Sequence, residues 1–451
     1  MNQLKSILLS IFCLVLFSVY SCKDGQEEQP CTETTWYQDA DGDGLGNPAI
    51  TFVSCQAPAG YVANSGDNDD TQPIDNGNNN GGGTNVSAVE QTFNGRIDLS
   101  NLLNYENQTL PSYILKDNNG NNGITNEGAT LGRVLFYDKN LSVNNTIACA
   151  SCHKQAFAFG DGQLQSDGVA GVTGRHAMRL VNARFADERH FFWDERANTL
   201  EDQTTMPIQN HVEMGFSGQN GDPGINDLIQ KLQAIPYYQE LFTFVYGDPA
   251  VTEQRIQRAM AQFIRSIQSF DSKFDQGRAQ VNNDVAPFPN YSQQENLGKN
   301  VFFTPPNQGG AGCQGCHRAP EFDIDPNSRN NNVVGNLDSP NSIDVTITRS
   351  PSLRDLVKTN GQLNGPLMHD GSLASLEAVV EHYNFISIVP GNNNIDPRLR
   401  QGGPPGPGNP PNPNGQQLNL SDQNKAALVA FLKTLSGSSV YTDERWSDPF
   451  Q

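Results

Sequence analysis

A mainly α protein, with two helical domains behind a small loop-rich metal-binding-type module, is the fold class the sequence predicts, and three observations predict it. Apolar residues recur at helical spacing, the longest stripe being Ile256, Met260, Phe263, Ile264, Ile267 and Phe270. No long run alternates apolar with polar residues, so no substantial sheet is expected. An acidic, glycine-rich stretch near the amino terminus has too few apolar residues to build a large core. The expected boundaries are 1–21 for a leader, 22–75 for the module, 76–87 for a linker, and 88–288 and 289–451 for the two helical domains.

The chain has 451 residues, with 29 Lys and Arg against 49 Asp and Glu and a formal net charge of −20. Nucleic acid is excluded as a partner, because phosphate binding needs a clustered basic footprint that no stretch supplies. With 42 Gly and 27 Pro the chain is loop-rich, and its composition rules out a polytopic membrane protein. Its eight cysteines are too few for a disulfide scaffold of this size and fall in local groups, at 13 and 22, 31 and 55, 149 and 152, and 313 and 316.

Lys5 precedes an apolar run from Ile7 to Tyr20, too short to span a membrane, that closes on Ser21-Cys22 and turns polar at Lys23. This reads as an export signal. Its ending Val19-Tyr20-Ser21-Cys22 resembles a bacterial lipobox, which implies a periplasmic or cell-envelope lipoprotein held to a membrane only through a lipid on Cys22. Ordinary cleavage near residue 22 is the alternative. Farther on, Asp39, Asp41 and Asp43 alternate with Ala40, Gly42 and Gly44, and Asp67, Asp69 and Asp70 follow. Spaced aspartates with turn-permitting glycines suit a hard cation, so Asp39, Asp41, Asp43, Asp67 and Asp69 are candidate calcium ligands. Cys31 and Cys55 flank the first cluster and are expected to form its disulfide. The run from Trp36 to Gly44, with Cys55 and Gly60-Tyr61-Val62, is similar to thrombospondin type 3 repeats; a solvated acidic loop is the alternative. Asp75 to Asn85, rich in Gly and Asn, is too polar to bury and reads as a flexible linker.

In the larger domains Leu376, Val379, Val380 and Tyr383 repeat at helix spacing after Ser372, and Leu428, Phe431, Leu432 and Leu435 do so after the cap Ser421-Asp422. The join falls near 280–292, where Asn282-Asn283-Asp284 and Pro287-Phe288-Pro289 interrupt the pattern. A Pro/Gly/Asn insert from Gly402 to Gly415 is expected to be an exposed loop. The chemistry lies in Cys149-Ala150-Ser151-Cys152-His153 and Cys313-Gln314-Gly315-Cys316-His317, two copies of the C-x-x-C-H pattern of covalent c-type haem. Two thioethers clamp the porphyrin, and the adjacent His is thereby placed to bind the iron from the same side. A redox dithiol or a zinc knuckle leaves unexplained why His directly follows the second Cys twice in one exported chain. Two cytochrome-c-like domains, each with a haem, are therefore expected.

Catalysis needs one iron with an open position, so the sixth ligands decide the function. Met368 is the candidate partner of His317, because methionine opposite histidine raises the reduction potential and suits an electron-accepting relay. His369 is the neighbouring rival, and core packing is the plain alternative for Met368. The first motif has no such obvious partner; His176, Met178, Trp193, Gln203, His211 and Glu213 all follow it. Peroxide cleavage requires a vacant iron site, a carboxylate to carry a proton between the two oxygens and a polar group to orient them. Residue types alone do not select Glu213 and Gln203 from the many Glu and Gln of the chain.

From Asn126 to Ser436 the chain resembles the bacterial dihaem cytochrome c peroxidases, including their relative that matures methylamine dehydrogenase. The stretches that carry the resemblance occur in order. They are Asn126-Glu127-Gly128-Ala129-Thr130-Leu131-Gly132, continuing to Asp138, then the first haem motif, and then Phe192-Trp193-Asp194-Glu195-Arg196-Ala197. Pro207-Ile208-Gln209-Asn210-His211-Val212-Glu213-Met214-Gly215, the second haem motif and Met368-His369-Asp370-Gly371-Ser372-Leu373 complete the set. The resemblance implies that His153 is the proximal ligand of a low-potential haem that reacts with peroxide. It implies that His317 and Met368 ligate a high-potential haem that receives electrons, with Trp193 between the two haems and Gln203 and Glu213 in the distal pocket. It also implies an interdomain calcium ion, whose ligands the sequence does not place.

One departure from the family pattern matters. Many members carry a histidine shortly after the first motif that blocks the iron until the other haem is reduced, and between Lys154 and Arg175 this chain has none. His176 stands where the family commonly has Asn; a structural role in a turn is expected for it, with a displaced sixth ligand as the alternative. The first haem is therefore expected to be five-coordinate or water-bound at rest. The implied activity is reduction of hydrogen peroxide to water, with electrons from a small cytochrome c or cupredoxin entering at the C-terminal haem; a homodimer is compatible with it. The alternatives are a dihaem electron-transfer protein without peroxide chemistry and a dihaem oxidase that modifies a partner protein. The methylamine-dehydrogenase relative has Tyr where this chain has Met368, which weighs against the last.

Overall fold

The computed structural model describes residues 33–40, 46–63, 65, 86–187, 190–324, 326–403 and 412–451, which divide into one unit up to Thr84 and another from Asn85 onward. In the first unit β1 (Thr34–Gln38) runs antiparallel between β2 (Asn47–Ser54) and β3 (Tyr61–Val62). Thr34-Thr35-Trp36-Tyr37 and Ile50-Thr51-Phe52-Val53 are dense in β-branched and aromatic residues, which favour a pleated ribbon. Trp36 stands opposite Phe52 and donates its indole N–H to the Ser54 carbonyl at 3.1 Å. The module expected to be loop-rich is thus built on a three-stranded sheet; β1 and β3 are short, and β2 is exposed along nearly its whole length, so no alternating run appears. Cys55 is disulfide-bonded. Its expected partner Cys31, the candidate calcium ligands Asp41, Asp43, Asp67 and Asp69, and the leader with Cys22 all lie outside the described residues, as does 404–411 of the Pro/Gly/Asn insert.

The second unit carries eleven helices among the described residues. They are α1 (Ala88–Phe93), α2 (Asn126–Tyr137), α3 (Cys149–Cys152), α4 (Leu200–Thr205), α5 (Ile225–Gln233), α6 (Pro236–Tyr246), α7 (Glu253–Ser266), α8 (Lys273–Arg278), α9 (Gln293–Phe303), α10 (Leu376–Asn384) and α11 (Asp422–Lys433). Two small hairpins, β4 (Asp167–Gly168) with β5 (Gly171–Val172) and β6 (His317–Arg318) with β7 (Asp323–Ile324), sit in the connecting loops. No helix among the described residues is long and apolar enough to cross a membrane.

Two helix crossings organise this unit, and they repeat one design. α2 meets α7 at Gly132, where a Cβ would lie 2.0 Å from the Ala259 carbonyl oxygen and 2.8 Å from Phe263 Cβ. α9 meets α11 at Gly298, where a Cβ would lie 1.8 Å from the Ala427 carbonyl oxygen and 2.9 Å from Phe431 Cβ. In both, a glycine faces an Ala and a Phe four residues apart on the partner helix, and in both the glycine-bearing helix leads into a C-x-x-C-H segment. Side-chain oxygens close the first turns: Thr125 accepts from Gly128 N, Thr252 from Arg255 N, Ser292 from Glu295 N and, as expected, Ser421 from Asn424 N. α10 is capped by Ser375 and not by Ser372, because Ser372 is held in the preceding turn by Asp370 Oδ1 at 3.0 Å. Gly298→Ala is expected to force the second crossing apart and lower stability by about 1–3 kcal/mol, read as a reduced denaturant midpoint of the haem-loaded protein.

The buried side chains do not divide at 288/289 as the sequence suggested. One core joins α1, α2, α5, α6 and α7 through residues such as Phe93, Leu131, Phe242 and Met260. A second contains Phe288, Phe302, Phe322 and Phe431, and it already includes Phe274 of α8, whose ring is 5.2 Å from Phe288 and 4.7 Å from Phe322. A third, around Phe136, Phe159 and Phe263, takes Val440 and Trp446 from the end of the chain. Tyr105 OH donates to the Arg445 carbonyl at 2.8 Å, Arg133 Nε to the Ser447 carbonyl at 2.7 Å, and the Phe450 ring lies 5.0 Å from Phe93. Prolines at 287 and 289 break the helical pattern without breaking this core.

Candidate haem-binding centre

The first C-x-x-C-H segment is a single helical turn. His153 N–H donates to the Cys149 carbonyl at 2.9 Å, which closes α3 and sets the imidazole at the edge of a cavity of about 2050 Å³ that opens to solvent. Ala158 and Phe159 then take left-handed backbone, with φ of 52° and 62°, and return the Phe159 carbonyl to His153 Nδ1 at 2.9 Å. A carbonyl can only accept, so Nδ1 carries the proton and Nε2 keeps its lone pair for a metal. Burial pushes the His153 imidazole below its ordinary pKa, with the Phe159 carbonyl and Asp161 opposing, so the ring is neutral at physiological pH.

Gln203, from α4, and Glu213, from the turn beyond it, both line this cavity with His153. The turn is set by Asn210, whose Oδ1 accepts from Val212 N at 2.9 Å and from Glu213 N at 3.1 Å. Burial raises the Glu213 carboxyl above the ordinary carboxylate range, and the Arg196 guanidinium opposes the rise. His211, two residues earlier, is half exposed, pairs with Asp222 at 2.7 Å and does not line the cavity.

The second motif borders a cavity of about 1210 Å³ with a largely apolar lining that includes Leu356, Leu376, Val380, Leu428 and Leu432. Cys313, His317 and Met368 lie on its wall. His317 Nδ1 is buried without an aligned hydrogen bond, and burial pushes the imidazole down to about 4 with the Pro351 carbonyl opposing. Met368 is held in left-handed backbone at φ 65°, beside a bridge between Leu367 and Leu373. Its rival His369 uses Nε2 on the Gly335 carbonyl at 2.8 Å.

Trp193 lines both cavities and forms part of the wall between them. It is 9 % exposed, donates its indole N–H to the His176 carbonyl at 2.8 Å, and stands 6.0 Å from the His369 ring at 61°. Its own carbonyl accepts from Thr348 N and Arg349 N, each at 3.0 Å. Arg175 clamps the same segment, pairing with Asp194 at 2.6 Å and Asp344 at 2.8 Å. His176 also borders both cavities; its Nδ1 donates to the Gln163 carbonyl at 3.0 Å, its N–H donates to the His369 carbonyl at 2.8 Å, and burial with Arg179 pushes its imidazole down to about 4.

The residues fit covalent haem. Each cavity has a motif cysteine and the motif histidine on its wall, the thioether and imidazole donors that a c-type haem takes. Burial pushes the Cys149 and Cys313 thiols up to about 12, the direction opposite to that of a redox dithiol. Among the described residues no group of three or more His, Cys, Asp and Glu converges as a metal site, and the interdomain calcium has no assigned ligands. The sequence did not single out Arg196, or Asn331 beside Met368; an asparagine in a run of three carries no spacing signal.

A repeated helix pair, each copy leading to a C-x-x-C-H edge on its own cavity, defines a dihaem protein of the c type. Residues 126–283 match the family model for di-haem cytochrome c peroxidase. The chain is 30% identical over 328 residues to methylamine utilization protein MauG of Methylophilus methylotrophus, covering 71% of this chain and 85% of that protein. It is 29% identical over 321 residues to cytochrome c551 peroxidase of Nitrosomonas europaea, covering 68% and 80%. The crystal structure of a MauG-like protein associated with microbial copper homeostasis matches at a TM-score of 0.58 and 27% identity, covering 76% of this chain and 99% of that one. The chain belongs to the di-haem cytochrome c peroxidase family, which implies two c-type haems.

Proposed function

We propose that the protein reduces hydrogen peroxide to water, with haems attached at Cys149 and Cys152 and at Cys313 and Cys316. One observation supports this above others: Glu213 and Gln203 share a cavity with His153, and the wall at Trp193 is common to the cavity that holds His317 and Met368. When bound, the haems supply an iron that takes peroxide and a second centre that passes electrons on. The Phe159 carbonyl holds His153 Nδ1, leaving Nε2 as the atom that would hold the iron. Glu213 carries a proton from the near to the far peroxide oxygen, and the Gln203 amide orients the pair. Trp193 lies on the path of electrons that enter at the half with His317 and Met368. Two electrons and two protons balance each peroxide to two waters.

The donor in this reading is a small cytochrome c or cupredoxin, and the protein is a cell-envelope lipoprotein anchored through Cys22. Calcium at Asp39 and its neighbouring aspartates belongs to the same proposal. A second reading, oxidation of a residue on a partner protein, draws on the likeness to the methylamine utilization protein. Met368 beside the second cavity favours the electron-accepting role instead.

Stopped-flow spectroscopy with peroxide on fully oxidised and half-reduced protein tests the proposal. The expected result is a rapid change at the first haem in both states, with turnover when a reduced donor is supplied. Because no histidine lies between Lys154 and Arg175 to block the iron, the oxidised protein is expected to give a high-spin EPR signal from the first haem. Two low-spin haems with no high-spin signal would contradict the open site.

A further inference from the structure

Asn331 stands at the second cavity with its side-chain amide between the Met368 sulfur and the Tyr383 hydroxyl. The orientation of that amide is fixed by its surroundings. Val333 N–H donates to Asn331 Oδ1 at 3.1 Å, so Nδ2 faces the other way, where it donates to Tyr383 OH at 2.9 Å and to Met368 Sδ at 3.5 Å. A flipped amide could still accept from the Tyr383 hydroxyl, but it would set its oxygen against the sulfur and its N–H groups against that of Val333, losing two of the three contacts. His382 Nε2 donates to the Asn331 carbonyl at 2.9 Å and ties this loop to α10. The two flanking amides are used elsewhere: Asn330 Nδ2 serves the Val333 and Ile347 carbonyls, and Asn332 Nδ2 the Ser387 carbonyl. Of the three, Asn331 alone lines the cavity.

We propose that Asn331 is a positioning residue that donates a hydrogen bond to the Met368 sulfur, turns its free lone pair toward the iron held by His317, and raises the reduction potential of the second haem. The inference rests on Met368 as an iron ligand. A thioether that shares electron density with an N–H donates less to the metal, and the ferric state loses more from this than the ferrous state. Left-handed backbone at Met368 limits where the sulfur can stand, and the amide selects among the remaining side-chain positions.

The test is a redox titration of the haem-loaded protein, followed separately at the two haems. Asn331→Leu is expected to lower the ferrous-to-ferric ratio of the second haem at a fixed potential by up to about tenfold, equivalent to about 59 mV for one electron, with the first haem unmoved. Asn331→Ala offers the sulfur no N–H and introduces no charge, and it is expected to move the second haem the same way. It decides the matter if the leucine variant does not fold. An unchanged midpoint of the second haem in a folded variant overturns the proposal. A far-red sulfur-to-iron absorption band in the unsubstituted protein separates the two ideas: its absence removes Met368 as ligand, whereas its presence with unmoved variants removes only the role of Asn331.

Discussion

Glu213→Gln is expected to lower kcat for peroxide by about 10²–10⁴-fold while both haems remain attached. The substitution preserves the shape of the side chain and its place on the cavity beside Gln203 and His153, and removes only the ability to take up and release a proton. The loss should therefore fall on kcat and much less on KM, since an amide can still contact peroxide. The pH profile carries a second signature. Glu213 acts first as a base, so the working form is the carboxylate, and turnover of the unsubstituted protein should fall as pH drops through its pKa. Burial has raised that pKa, so the acid limb lies above the ordinary carboxylate range. In the glutamine variant this limb should vanish. Steady-state peroxide consumption against pH measures both effects, and unchanged turnover would remove Glu213 from the mechanism.

Arg354→Leu is expected to cost about 3–5 kcal/mol of stability, the largest effect predicted for a residue outside the two cavities. Its side chain is 0 % exposed, and it donates to Asp275 through two bonds, Nη1 to Oδ2 at 2.7 Å and Nη2 to Oδ1 at 3.0 Å. Nη2 also reaches the Pro320 carbonyl at 2.7 Å, and the guanidinium lies 5.3 to 5.4 Å from the centroids of Phe270, Phe274 and Phe322. Leucine would leave the Asp275 carboxylate buried with only Ser272 and Tyr113 as partners. Most of the cost comes from that stranded charge, so Arg354→Leu combined with Asp275→Leu should recover a large part of it. Denaturant midpoints of the single and double variants measure this. A single variant within about 1 kcal/mol of the unsubstituted protein would show that water or a backbone shift rescues Asp275.

The long helices were legible because their apolar stripes are long and regular: Ile256 through Ile264 lie buried on α7, and Ser421 caps α11 where a cap was read. The loops around the two motifs were not. There the backbone enters left-handed conformation at Ala158, Phe159, Phe192, Glu195, Phe322, Asp355 and Met368, none of them glycine. Local preference opposes such geometry, and only tertiary contacts impose it. The same reason explains why spacing alone could not bring Glu213, Gln203 and His153 to one cavity; the ordered resemblance to a known family named them, and in the fold all three line it. Asn331 lay beyond both signals, since its significance depends on which of three adjacent amides turns inward. The sheet of the first unit was missed because two of its strands have only five and two residues and the eight-residue β2 is exposed on both faces, so its apolar residues do not alternate.

The return of residues 440–450 to the first and third cores sets an order of completion during synthesis. Trp446 fills the core around Phe136 and Phe263, and Arg133 waits for Ser447, so the half that carries the first motif stays unfinished until residues 446 and 447 have been made. A chain cut near residue 288 therefore lacks part of the third core as well as the whole second half. Under the function proposed above, no truncated product would present a finished peroxide site without the centre that feeds it electrons.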